Sequence, residues 1–162
     1  MIVWFNSKRS LIDFMLRYQE NNELHRDFHG TTNTTLDYIA EHYGIDTLKM
    51  ILRKTGHDVY KSIREKLAKG DASELIEHLN WFFYRENGKY QLTVDENEIR
   101  LEVFECPAQR HLKELVMEIS PWSCLQTEEI NAGMCAGTCW QSSVEHISPG
   151  HCVQIFRKGA EK

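Results

Sequence analysis

An α+β fold is predicted by one change of hydrophobic period along the chain: apolar residues recur at helical spacing up to about residue 88 and alternate from Tyr90 onward. The resulting order is a run of N-terminal helices followed by a β-β-α-α-β-β unit with an antiparallel sheet. Helices and strands in runs characterise this class, whereas parallel α/β chains alternate them. With 162 residues, 41% of them hydrophobic and 27% charged, the chain has the length and composition of one domain with its own core. That domain, residues 1–162, divides into a helical part, 1–88, and a sheet-and-helix part, 89–162, which carries all 5 cysteines.

The first helix is predicted over residues 8–20, where Leu11, Ile12, Phe14, Met15 and Tyr18 share a face. The polar stretch HGTTNTT interrupts it, and a second helix runs from about Thr35 to Tyr43. Asp46 has the character of an N-cap for TLKMILRKT, which Gly56 would end. VYKSIREKLAK places Val59, Tyr60, Ile63 and Leu67 on one face and stops at Gly70. Asp71 and Glu74 have capping-box spacing ahead of LIEHLNWFFY, another amphipathic helix.

YQLTV and IRLEVF, separated by DENE, read as two antiparallel strands with Leu92, Val94, Ile99, Leu101 and Val103 inward. Cys106-Pro107 then opens a helix, PAQRHLKELVM, with Cys106 at its N-cap, because proline suits the first helical position. Ser120-Pro121 repeats that signal for a helix through WSCLQTEEIN. Gly133 and Gly137 form a flexible passage into CWQSSVEHI, a turn at SPGH and a last strand, CVQIF.

Composition narrows the function. A net charge of -5 with scattered Lys and Arg offers no basic stripe, so no nucleic-acid partner is expected. The start of the chain resembles neither a signal peptide nor a membrane span, so the expected setting is cytoplasmic, with no membrane partner. An odd number of cysteines in such a chain favours reduced thiols, free for burial, catalysis or metal binding. The expected partner is a small-molecule ligand or substrate, and self-association as a homodimer stays open.

Cys106 stands out among the thiols, because a helix N-terminus lowers a thiol pKa and Arg110 and His111 lie one turn on. Cys124 and Glu128, four apart on a helix, share a face. Cys152 opens the last strand beside His151, and the two point to opposite faces. Cys135 and Cys139, with His146 and Cys152, could instead form a four-ligand zinc or iron–sulfur site, although their spacing matches neither pattern well. His25 and His29 are four apart, a spacing that can hold zinc on one helix face, although the neighbouring glutamate is misplaced for a His-Glu-x-x-His site. The aromatic run Trp81 to Tyr84 covers every side of a helix turn, as core or as the wall of a cavity.

The segments LEVFECPAQRHLKEL, SPWSCLQTEEINAG and WQSSVEHISPGHCVQIF resemble the L-2-amino-thiazoline-4-carboxylic acid hydrolase family. The likeness rests on Cys106-Pro107 at a strand end, Cys124 followed by Glu128, and Cys152 opening a final strand near Phe156. It covers roughly residues 99–157 and departs at Val153 and Glu128, where the family more often has aspartate. A weaker likeness connects the order of elements with four-vinyl-reductase and transport-particle ligand-binding domains. The first resemblance implies hydrolytic opening of a cyclic amidine ring, without a cofactor. Cys106 would be the nucleophile, with Cys124, Glu128 and His111 completing the catalytic group. Cys152, Arg110, Asn131 and Trp81 are the expected substrate contacts. The second resemblance implies a non-enzymatic sensor that binds a ligand or holds zinc or an iron–sulfur cluster.

Overall fold

The computed structural model describes residues 27–159. Among these residues, six helices and a four-stranded antiparallel sheet make up an α+β fold, with most of the helices ahead of the strands. The helices are α1 (Asp27–Tyr43), α2 (Ile45–Asp58), α3 (Lys61–Leu67) and α4 (Ser73–Arg85), then α5 (Pro107–Glu114) and α6 (Ser123–Cys135). The strands are β1 (Lys89–Val94), β2 (Glu98–Glu105), β3 (Trp140–Ser148) and β4 (His151–Lys158), in the order β1-β2-β4-β3. Two hairpins are thus joined through β2 and β4, with α5 and α6 forming the link between them.

Alternation decides which side of the sheet meets the helices. Ile99, Leu101 and Val103 of β2 are buried and pair with Phe156, Gln154 and Cys152 of β4, so all six share the helix-facing side. They pack with Ile63 and Leu67 of α3 and with Leu75, Leu79 and Phe83 of α4. β4, in the middle of the sheet, is buried on its other face too, at Val153 and Ile155. Val94, predicted inward, pairs with Ile99 but remains 47% exposed, because it ends an edge strand.

Several boundaries differ from those predicted, each for a local reason. The helix expected from Thr35 is already formed at Asp27, so HGTTNTT is helical. Thr34 and Thr35 donate their hydroxyls to the carbonyls of Gly30 and Thr31 inside the helix. The Asn33 side chain donates to the Glu118 carbonyl and accepts from the Ser120 N–H, so tertiary bonds hold the segment in place. The helix expected over residues 8–20, and His25, lie outside the described residues.

Asp46 lies in the first turn of α2, and the N-cap is Gly44. Asp71 accepts from the Ser73 N–H, but Glu74 turns to Lys66 instead of completing a capping box. Val59 is the C-cap of α2 and is exposed, so it does not join Ile63 and Leu67. The helix after Cys106 ends at Glu114, with Val116 in a left-handed conformation at φ 55.

The largest departure concerns two glycines. Gly56 was expected to end a helix and Gly133 to open a flexible passage, yet both are buried inside helices, α2 and α6. They face each other: a methyl carbon on Gly56 would lie 3.0 Å from the Gly133 Cα and overlap the Ile130 carbonyl oxygen. A methyl on Gly133 would overlap the Arg53 carbonyl oxygen. This is the most extensive helix–helix contact among the described residues. Arg53 and Glu129 close it with an ion pair of 2.6 Å.

Gly56→Ala and Gly133→Ala should therefore each destabilise the protein by about 3 kcal/mol, although alanine is the better helix former by about 1 kcal/mol. Urea unfolding should show a lower midpoint at unchanged slope. Gly137→Ala is the control: it meets nothing within 4 Å but sits at φ 72, and should cost only about 1–2 kcal/mol.

Candidate functional site

The sheet, α5 and α6 bring three distant thiols together. Cys106 is the N-cap of α5, with Pro107 at the first helical position as the sequence predicts. Its backbone N–H donates to the Gly150 carbonyl at 2.8 Å, so the tip of the β3–β4 hairpin is tied to the start of the helix. Gly150 is at φ 81 and leaves room for the Gln109 side chain, which a methyl at that position would meet at 3.3 Å. Gln109 in turn donates Nε2 to the Cys124 sulfur at 3.8 Å. Cys152 faces the helical side of the sheet opposite Val103, close enough for Cys106 and Cys124 to influence its ionisation.

All five cysteines are free thiols. Burial raises the Cys106 pKa, and the Cys124 sulfur adds to the effect. The amides of Gln109 and Ala108 and the Arg110 cation oppose it without winning. The acidic thiol expected from the helix N-terminus is therefore not found, because desolvation outweighs the helix field at this depth. Cys152 is pushed up to about 12, by burial first and then by its two sulfur neighbours. Burial takes Cys135 to about 11.

Beside Cys106 a surface cleft of about 610 Å³ opens between α5, the ends of the first hairpin and the Pro149-Gly150 turn. Lys89, Arg110 and Lys113 bring positive charge to it, and Glu105 and Glu114 negative. Lys89 is paired with Glu105 at 2.7 Å. Arg110 donates to the main-chain carbonyls of Glu86 and Asn87 at 2.9 and 3.1 Å, capping the end of α4. Lys113 makes no ion pair among the described residues.

The other predicted site residues have the following surroundings. Glu128 is exposed and pairs at 2.7 Å with His146, which stands opposite Cys152 in the register of β3 and β4. His111 points toward α1, with its ring 6.0 Å from that of His29. Asn131 is buried and donates to Gln154 at 2.9 Å between α6 and the sheet, as a core hydrogen bond. Trp81 is 48% exposed, lies beneath the Arg85 guanidinium at 4.4 Å and borders a separate cleft between α3 and α4.

The alternative set of Cys135, Cys139, His146 and Cys152 is not assembled. Cys139 precedes β3 and donates its thiol to the Leu67 carbonyl, whereas His146 pairs with Cys152 seven residues further on. At roughly 3.3 Å per residue these lie about 20 Å apart. Among the described residues, no group of three or more His, Cys, Asp or Glu side chains could hold a metal ion. No helix among them is long and apolar enough to cross a membrane.

Gln109 and Lys113 were not singled out from the sequence. Gln109 could have been noticed, since it follows Cys106 by three residues in the first turn of α5, where a side chain reaches back over the N-cap. No protein-family model, curated protein sequence or solved structure matches this chain.

The raised thiols set a pH dependence. A group whose pKa is higher in the folded than in the unfolded chain supports folding below its unfolded value, and that support is lost as pH rises through the folded value. With Cys152 moving from 9.0 to about 12 and Cys135 from 9.0 to about 11, stability should fall progressively between pH 9 and 12. Cys152→Ala should flatten that fall. Chemical denaturation at a series of alkaline pH values would measure both.

Proposed function

We propose that this protein is a small-molecule hydrolase that opens a cyclic amidine ring carrying a carboxylate, with Cys106 as the nucleophile. One observation carries the reading: a thiol at a helix N-cap, faced by two amides, borders a cleft that also holds the cation of Lys113. Lys113 would attract the carboxylate, and the amides of Ala108 and Gln109 would steady charge developing near the sulfur.

The raised pKa of Cys106 suits this chemistry. A neutral thiol can add across a C=N bond with its proton passing to the ring nitrogen, so the substrate supplies its own base. The ring C–N bond then breaks with that nitrogen leaving as an amine. Water attacks the carbon still attached to Cys106, and the thiol is regenerated with its proton. Neither Glu128 nor His111 is required as a proton carrier in this scheme.

The assay is ring opening of 2-aminothiazoline-4-carboxylate, followed by mass spectrometry of the product. Cys106→Ser should lower kcat/KM by more than about 10²-fold. Lys113→Ala should raise KM and leave kcat nearly unchanged, since it removes binding common to ground and transition states. Binding of the acid without turnover would reassign the cleft to a ligand-binding module. Full activity in Cys106→Ser would remove the nucleophile.

A further inference from the structure

Cys106, Gln109 and Lys113 follow one another along α5 at i, i+3 and i+7, a spacing that gathers them on one side of the helix, and all three border the cleft. The first is the nucleophile of the proposed reaction and the last its cation. Gln109, between them, is a buried polar side chain, 7% exposed. Its Nε2 donates to the Cys124 sulfur at 3.8 Å, and its Oε1 accepts no hydrogen bond among the described residues. A carboxamide taken out of water is ordinarily held by partners on both its atoms, so an oxygen left without one at a cleft wall calls for a donor from whatever fills the cleft. That oxygen stands at the reacting end. A methyl carbon on Gly150 would lie 3.3 Å from Gln109 Oε1 and 4.0 Å from Cys106 Cβ, so the space that Gly150 leaves open is shared by the carboxamide oxygen and the thiol side chain.

We propose that Gln109 selects the substrate: its Oε1 accepts a hydrogen bond from the amino group outside the ring of a 2-amino heterocycle, and so distinguishes cyclic amidines from ring carbonyl compounds of the same shape. The assignment rests on the reading of the cleft as the site of a cyclic amidine acid. An acceptor fixed beside the thiol favours an N–H group and is opposed by the lone pairs of a C=O in the same place. The carboxylates of the cleft are engaged elsewhere, Glu105 by Lys89 at 2.7 Å and Glu114 by Arg110 at 4.0 Å. Lys113 lies one helical turn beyond Gln109, about 6 Å along the axis. A small ring can therefore give its amino group to Gln109 and its carboxylate to Lys113.

The same bond orients the ring for the reaction. With the outer amino group held by Oε1, the ring nitrogen remains the free basic atom of the amidine. When the Cys106 sulfur bonds to the carbon between the two nitrogens, the C=N double bond becomes single and the thiol proton passes to that ring nitrogen, leaving no net charge. Gln109 exchanges no proton in this step. Its backbone N–H also faces Cys106, so the residue meets the reacting end with a donor from its main chain and an acceptor from its side chain.

The test is equilibrium binding of two ring acids, 2-aminothiazoline-4-carboxylate and 2-oxothiazolidine-4-carboxylate, to the full chain carrying Cys106→Ser to prevent turnover. The amino compound should bind at least about tenfold more tightly than the oxo compound. Adding Gln109→Leu, which keeps the volume and removes the acceptor, should bring the ratio close to one, whereas Gln109→Glu, which keeps an acceptor, should retain it. Gln109→Met takes the place of the leucine variant should that fail to fold. Equal binding of the two compounds, or a ratio that Gln109→Leu leaves unchanged, would overturn the role of Gln109. Such a result together with turnover by the wild type removes that role alone. A preference for the amino compound without wild-type turnover removes the hydrolase reading and leaves Gln109 as the selector of a ligand site, and failure of both compounds to bind removes both.

Discussion

The close crossing of α2 and α6 is the constraint on which the arrangement depends. Two helices can approach until their backbones touch only where neither carries a side chain, and Gly56 and Gly133 provide that at one point. With α6 held there, its first turn is presented to α5, which is how Cys124 reaches Gln109 and comes near Cys106. Its other side lies on the sheet, where Asn131 meets Gln154. A helix covered on both sides needs no single apolar stripe, so α6 buries Glu129, Asn131 and Met134 alike. Glu129 is affordable there because Arg53 meets it at 2.6 Å.

Around α5 the same burial acts oppositely on two kinds of chemistry. Taking a thiol out of water favours its neutral form, and three thiols near one another discourage ionisation further. The thiol side of α5 is therefore a place for neutral nucleophiles or apolar contact, and a resting thiolate is disfavoured. Around His29, Glu86 and His111, where His29 Nε2 stands 3.2 Å from Glu86 Oε2, burial instead leaves acceptor and donor atoms without partners to replace their hydration. Arg110 separates the two, with its guanidinium bound to the end of α4 and its stem along the cleft. One helix of eight residues thus positions both groups.

Much of this was legible in the residues. Cys106-Pro107 announces a strand end and a helix start by proline geometry alone, and alternation in IRLEVF identifies Ile99, Leu101 and Val103 as core. The SPGH turn and the strand after it follow from glycine and alternation. That Glu128 pairs with His146 and that His111 turns toward His29 were less legible, because helical spacing does not decide what a helix face meets. His29 and Glu86 carry no mutual signal, being 57 residues apart.

The sequence by itself determined the class of the fold, the order of its elements and the helix-facing side of β2, since these depend on local period and on turn chemistry. Only the tertiary structure decided that Gly56 and Gly133 are contact points instead of helix ends, that HGTTNTT is helical, and that burial leaves Cys106 and Cys152 as neutral thiols. The physical reason is common to all three. Close approach, tertiary hydrogen bonds and desolvation are set by what lies across the interior, and no local pattern of residues encodes that distance.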